Sequence, residues 1–92
     1  MSDESKYYLY ISRNSKNQFY IGISNNPQKR ISRHNNLQGA KFTSLNPDFK
    51  LVYQEQFPDL LSAMRREKQL KGWTRVKKEA LIEGNFELLK KL

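Results

Sequence analysis

The run Tyr7-Tyr8-Leu9-Tyr10-Ile11, followed after a polar break by Gln18-Phe19-Tyr20-Ile21-Gly22-Ile23-Ser24, decides how this chain folds. The first run is rich in β-formers and too short for a helix. The second alternates. Phe19, Ile21 and Ile23 fall on one face, and Tyr20, Gly22 and Ser24 on the other, the period-two pattern of a strand with one buried side. The polar residues Ser12 to Asn17 between the runs form a turn segment, so the two strands predict an antiparallel hairpin.

Beyond the hairpin, Asn25-Asn26-Pro27 is a helix start, with Asn26 able to cap and Pro27 suited to the first turn. The spacing predicts a helix from about Pro27 to Asn35. Leu37 to Asp48, with Gly39 and Pro47, predicts a loop, and Phe49 to Phe57 a third strand ended by Pro58. Asp59 caps a second helix running to about Lys71 and stopped by Gly72. Thr74 opens a third helix to about Glu83, before Gly84, and Asn85 starts a short terminal one through Leu92. The expected order is β-β-α-β-α-α-α: an α+β fold with a small three-stranded antiparallel sheet flanked by helices. Residues 1–92 are expected to form one domain, with 1–5 a flexible tail.

Composition narrows the function. The chain holds no cysteine, which excludes a disulfide framework, a thiolate zinc site and a thiol nucleophile. No apolar run is long enough to span a membrane, and no charged-then-apolar leader opens the sequence, so a soluble cytoplasmic protein without a membrane partner is expected. Lys and Arg number 17 against 9 Asp and Glu, a formal +8, and a basic domain this small calls for a polyanion, nucleic acid first. The excess is clustered. Between Glu4 and Asp48 lie Lys6, Arg13, Lys16, Lys29, Arg30, Arg33 and Lys41 with no acid among them. A second block holds Arg65, Arg66, Lys68, Lys71, Arg75, Lys77 and Lys78 around one acid, Glu67. From these blocks Lys29, Arg33, Lys41, Arg66, Lys68 and Lys71 are expected to meet phosphates.

Three constellations fit a plain core poorly. Leu60, Ala63, Met64 and Leu70 predict one apolar face of the second helix, and Glu67 falls near its middle. A carboxylate there must be paired, protonated or bound to a cation. Two readings stand: an i,i+4 ion pair with Lys71, or a metal ligand pointing into a cleft, where a lone carboxylate with water and phosphate oxygens suits Mg²⁺. Arg30 and His34, four apart, share a helix face and could grip one phosphate, the arginine through its planar fork. His34 is the only histidine, so no multi-histidine metal site exists. Tyr10 and Tyr20 both lie near the middle of the hairpin, and Gly22 leaves room for close approach. Packing is the competing use of both tyrosines. Trp73, Tyr53 and Phe42 could stack on unpaired bases, with core packing the commoner use of each.

In order along the chain, Tyr8-Leu9-Tyr10, Tyr20-Ile21-Gly22, Arg30 ten residues after Tyr20, His34 four later and Glu67 on a later helix resemble the GIY-YIG nuclease family. The similarity runs from about Tyr7 to Ile82 and is closest to the small stand-alone bacterial members. They share tracts such as His34-Asn35-Asn36, Ala40-Lys41-Phe42-Thr43 and Arg65-Arg66-Glu67-Lys68. Tyr8 and Leu9 replace the glycine and isoleucine of the first motif, positions that are mainly structural in the strand. The resemblance implies a three-stranded antiparallel sheet with helices and cleavage of phosphodiester bonds with one divalent cation, Mg²⁺ or Mn²⁺. It implies a DNA substrate in preference to RNA, and a setting such as DNA repair or recombination. At this length, the chain is expected to lack the separate DNA-selecting domain of many relatives.

Carried over by position, the resemblance makes Tyr20 the general base or positioner of the attacking water, with Tyr10 hydrogen-bonding near it. Arg30 stabilises charge on the phosphoryl oxygens, His34 relays a proton or orients Tyr20, and Glu67 holds the metal. Asn85 is the one candidate for an asparagine that some relatives place in the site. The alternatives are a catalytically silent DNA- or RNA-binding module on the same fold, and a basic RNA-associated structural protein, which leaves Glu67 unexplained.

Overall fold

The computed structural model describes residues 6–41 and 48–92, with side chains over 6–36 and 48–92. Its elements are β1 (Tyr7–Arg13), β2 (Phe19–Ser24), α1 (Pro27–Lys41), β3 (Lys50–Phe57), α2 (Leu60–Lys71), α3 (Arg75–Glu83) and α4 (Phe86–Lys91). The strands form one antiparallel sheet in the order β2-β1-β3, so the expected α+β architecture and element order are present. The proposed tail at 1–5 lies outside the described residues, as do Phe42 and the stretch 42–47 of the expected loop.

The hairpin is shaped by side chains as well as by its backbone ladder. Asn14, itself buried, accepts through Oδ1 from the N–H groups of Lys16 (3.1 Å) and Gln18 (2.8 Å), a local turn built by one short amide. Asn17 takes the left-handed conformation at φ 65°, which asparagine tolerates better than most residues. β1 runs two residues past its expected end, because Ser12 still pairs with Tyr20 and its hydroxyl donates to the Tyr20 carbonyl at 3.4 Å.

Pairing sets the two faces of the sheet. Leu9 lies opposite Ile23 and Ile11 opposite Ile21, while Tyr10 lies opposite Gly22 and Ser12 opposite Tyr20. Leu9, Ile11 and Ile21 close the core with Leu70 of α2 and Leu81 of α3. Phe19, Val52, Tyr53, Phe57, Trp73, Ile82 and Leu89 pack around that cluster. The tyrosines at 10 and 20 therefore belong to the opposite face. A register irregularity between Ile11 and Ser12 lets β3 pair with both ends of β1.

The caps fall where short polar residues stand. Asn26 accepts from the Lys29 N–H at 3.2 Å, Asp59 from Ser62 at 2.7 Å, Thr74 from Lys77 at 3.3 Å and Asn85 from Leu88 at 3.2 Å, each satisfying an orphan donor of the first turn. The Ser62 N–H also holds the Asp59 carboxyl below its usual pKa. Gly84 ends α3 at φ 72°, where a side chain would be strained.

Two expectations are corrected. Helix α1 does not stop near Asn35 but continues to Lys41, so 37–41 is helix and not loop. Leu37, Gln38, Ala40 and Lys41 are good helix formers, and a single interior glycine costs only about 1 kcal/mol. The apolar face of α2 is also narrower than its spacing suggests. Ala63 and Leu70 are fully buried, but Leu60 and Met64 are about half exposed, at 46% and 49%. No helix among the described residues is long and apolar enough to cross a membrane.

Candidate active site

Tyr10 anchors the tyrosine face. Its cross-strand partner is Gly22, and the ring lies directly over that glycine: a Cβ there would sit 2.7 Å from Oη, 2.9 Å from Cζ and 3.0 Å from Cε2. The glycine is therefore a space requirement set by a tyrosine on the neighbouring strand. Only 1% of Tyr10 is exposed, so the ring has a single place to go. Burial pushes its hydroxyl pKa up to about 12, with the nearby Tyr20 and Glu67 adding to the rise and Arg30 opposing it. A hydroxyl raised this far stays protonated through the physiological range.

Tyr20, on the edge strand, is 44% exposed. Its ring centroid is 6.3 Å from that of Tyr10 at 42° and 5.2 Å from His34 at 18°, a stacked pair. His34 reaches it from α1, one turn beyond Arg30. Tyr10, Tyr20, Arg30, Arg33 and His34 together line a cavity of about 370 Å³. The catalytic residues expected from β1, β2 and α1 thus converge at one place. Arg33, expected only as a phosphate contact, lies in the same wall. Arg30 is exposed and makes no ion pair with a described residue, which leaves its guanidinium fork for a ligand.

Glu67 stands apart on α2. Its side chain is 25% exposed, and Oε2 lies 3.1 Å from Lys71 Nζ, so the expected i,i+4 ion pair is present. It is flanked by the buried Ala63 and Leu70 and lies close enough to Tyr10 to act on its hydroxyl. No group of three or more His, Cys, Asp or Glu able to hold a metal occurs among the described residues. Any metal would therefore take most of its ligands from water and phosphate. Such coordination suits Mg²⁺ and does not suit zinc. Lys71 already neutralises this carboxylate, so a metal there would have to displace its ammonium. Glu67 does not line the tyrosine cavity, and a single carboxylate of this kind would suit only a hydrated hard cation.

The remaining expected contacts separate. Lys29, Lys68 and Lys71 are exposed, and the Lys41 side chain lies outside the described residues. Arg66 is corrected. Its Nε and Nη2 donate to Glu55 at 3.0 and 2.9 Å, Nη1 donates to Gln69 at 2.9 Å, and its guanidinium lies 5.3 Å from the centre of the Trp73 ring. Burial works against the Arg66 charge, yet the Glu55 contacts outweigh it and raise the pKa. Arg66 ties α2 to β3, with three of its five N–H donors committed to Glu55 and Gln69. Tyr53 and Trp73 pack against the core, and the Asn85 side chain is engaged as the cap of α4.

Two residues of the site's frame escaped the sequence reading. Phe49 packs on His34 (5.2 Å between centroids) and meets Tyr20 edge-on (6.4 Å), closing the aromatic group from the β3 side. Asn35 holds it there: Nδ2 donates to the Phe49 carbonyl and Oδ1 accepts from the Phe49 N–H, both at 3.0 Å. A paired amide of this kind mimics a strand ladder, and only its position one residue after His34 could have signalled it.

Comparison with known proteins bears on the family and the fold. A family model described as the GIY-YIG catalytic domain matches residues 6–80. A UPF0213 protein of Staphylococcus saprophyticus is 42% identical over 77 residues, 84% of this chain and 94% of its own length. One from Limosilactobacillus reuteri is 38% identical over 88 residues, 92% of each chain. Among solved structures, the solution NMR structure of a UPF0213 protein from Bacillus halodurans superposes with a TM-score of 0.55 at 35% identity, covering 85% of this chain and 83% of that one.

Proposed function

The chain belongs to the GIY-YIG catalytic-domain family, whose members are generally endonucleases, and from that premise we propose that it hydrolyses phosphodiester bonds in nucleic acid, DNA in preference to RNA. The observation that carries this reading is the cavity of about 370 Å³ lined by Tyr10, Tyr20, Arg30, Arg33 and His34. It sets a cation fork, a second arginine and an accessible phenol around a space suited to a phosphate. The reaction forms a bond from a water oxygen to phosphorus, breaks the bond to a sugar oxygen and returns a proton to that oxygen.

Tyr20 positions the attacking water or takes its proton, with the stacked His34 ring fixing the plane of the phenol. Arg30 holds the phosphoryl oxygens as charge builds on them, an effect worth several kcal/mol in preorganised sites. Tyr10, protonated and immobile, donates a hydrogen bond into the same space. Glu67 is the residue that would hold one Mg²⁺ or Mn²⁺, and such an ion supplies Lewis acidity at a phosphoryl oxygen. One observation favours a silent binding module instead: Lys71 occupies the Glu67 carboxylate.

Plasmid and oligonucleotide cleavage with Mg²⁺, Mn²⁺ or EDTA decides between them. The wild type is expected to cut with either metal and to stop in EDTA. Tyr20→Phe is expected to bind but not cut. Cleavage by Tyr20→Phe at the wild-type rate refutes the role of Tyr20, and no cleavage by the wild type under any condition leaves the binding module.

A further inference from the structure

Resting on the reading of the tyrosine cavity as a phosphodiester site, we infer that Lys71 and Lys78 form a second phosphate subsite beyond Tyr20, which takes a phosphate flanking the scissile one on the same strand. A cavity of about 220 Å³ is lined by Phe19, Tyr20, Ile21, Lys71 and Lys78. It shares Tyr20 with the larger cavity. No acidic residue lines either space. β2 is an edge strand, with no further strand paired to it among the described residues.

The structure also separates the cations of the second basic block by task. Arg66 is bound to Glu55. Arg75 pairs with Glu79 at 3.0 Å, donates to the Asn17 carbonyl and lies over the Phe19 ring at 4.0 Å. Lys77 lies over Trp73 at 4.5 Å. Lys78 is different: it lines the cavity with its stem partly covered, and its ammonium has no ion pair, hydrogen bond or ring contact with a described residue. An anion in the cavity would give that ammonium a partner. Lys71, 58% exposed at its side chain and 3.1 Å from Glu67, stands between the proposed metal ligand and this subsite. A strand crossing Tyr20 would then meet Arg30 and Arg33 on one side and the two lysines on the other.

The test is direct binding in EDTA, measured by fluorescence anisotropy over a salt series on short duplex and single-stranded DNA. Lys78→Met keeps the aliphatic stem and removes the charge. It is expected to lower the magnitude of the salt slope by about 0.9 on duplex and about 0.7 on single strands, and to weaken binding roughly five- to tenfold near 0.1 M salt. Lys78→Arg should keep the slope, and Lys90→Met, an exposed cation on α4, should barely move it. A scan of single neutral methylphosphonates should find one flanking position that weakens the wild type by a similar factor and leaves Lys78→Met unaffected. Should the methionine variant not fold, Lys78→Gln answers the same question. An unchanged slope, or a methylphosphonate penalty that persists without Lys78, overturns the subsite alone. Binding without cleavage in Mg²⁺ or Mn²⁺ overturns the nuclease reading alone, and no binding by the wild type overturns both.

Discussion

Replacing Gly22 by alanine adds one methyl group where Tyr10 already stands. The new Cβ would lie 2.7 Å from the Tyr10 hydroxyl oxygen and 2.9 Å from Cζ. Ordinary contact distances are about 3.5 Å or more, so the ring must retreat by roughly 0.5–0.8 Å. Gly22 does not need a positive φ, and the backbone there accepts alanine without strain, so the whole cost arises from the ring. Tyr10 is almost fully enclosed, and overpacking of this kind typically costs about 1–3 kcal/mol. In a domain of this size that is a fall in Tm of roughly 4–8 °C per kcal/mol. Urea denaturation followed by circular dichroism measures the loss, with the m-value expected to stay constant. The companion is Gly22→Ala in a Tyr10→Phe background, which removes the nearest colliding atom and should recover part of the stability lost by the single glycine change. A fully stable Gly22→Ala protein would refute the reasoning. A loss as large beside phenylalanine as beside tyrosine would show that the hydroxyl contact does not drive it.

Other perturbations separate frame from chemistry. Asn35→Ala removes both bonds to the Phe49 backbone and should destabilise by about 1–3 kcal/mol. Nuclear magnetic resonance should show the His34 and Phe49 ring signals shifting together, and a shift at Phe49 alone would count against the clamp. Arg66→Met should cost about 1–2 kcal/mol, since each partner of the Glu55 pair is roughly three-quarters buried, while leaving the salt slope of DNA binding unchanged; a shallower slope would restore Arg66 to the phosphate contacts. In alkali, Tyr10 and Tyr53 should titrate well above the ordinary tyrosine range, since burial pushes each up to about 12 and, at Tyr53, the Glu55 carboxylate adds to the rise. Between about pH 10, where an unfolded tyrosine ionises, and pH 12 the unfolded chain has lost protons that the folded one keeps. Stability should therefore fall as pH rises through that window. Tyrosinate absorbance of the wild type against Tyr10→Phe and Tyr53→Phe, checked together with melting, tests this, and loss of a transition near pH 10 in either variant would contradict it.

How far the sequence reveals this protein depends on the range of each signal. The caps at Asn26, Asp59, Thr74 and Asn85 act within three residues, and each is legible because its donor and acceptor lie in one short window. The hairpin is legible for the same reason, as alternation along Phe19–Ser24 fixes which residues share a face. The extra turns of α1 were hidden because Gly39 and Pro47 suggest a break, although only a short stretch of good helix formers is needed to carry the helix past the glycine. Long-range commitments are hidden by their nature. That Arg66 belongs to Glu55, eleven residues earlier, cannot be told from a run of cations, each of which looks equally available. Asn35 and Phe49, fourteen apart, carry no periodicity that would pair them. The site residues were visible chiefly through their order along the chain, and their convergence on one cavity needed the sheet register and the α1 face.

That register also explains why the site should hold its shape in so small a protein. Leu9 and Ile11 alternate with Tyr8, Tyr10 and Ser12 along β1, and Ile21 alternates with Tyr20 and Gly22 along β2. A slip of one residue between the strands would turn the tyrosines into the hydrophobic core and the core residues out onto α1. It would also move Gly22 from beneath the Tyr10 ring and bring a side chain into a space that admits none. The free energy that buries Leu9, Ile11 and Ile21 against Leu70 and Leu81 thus fixes the spacing of Tyr10 and Tyr20 on the other face. A mutation in the core and a mutation at Gly22 should therefore be felt at the cavity in the same way, through the position of a tyrosine that neither residue needs to touch the substrate to control.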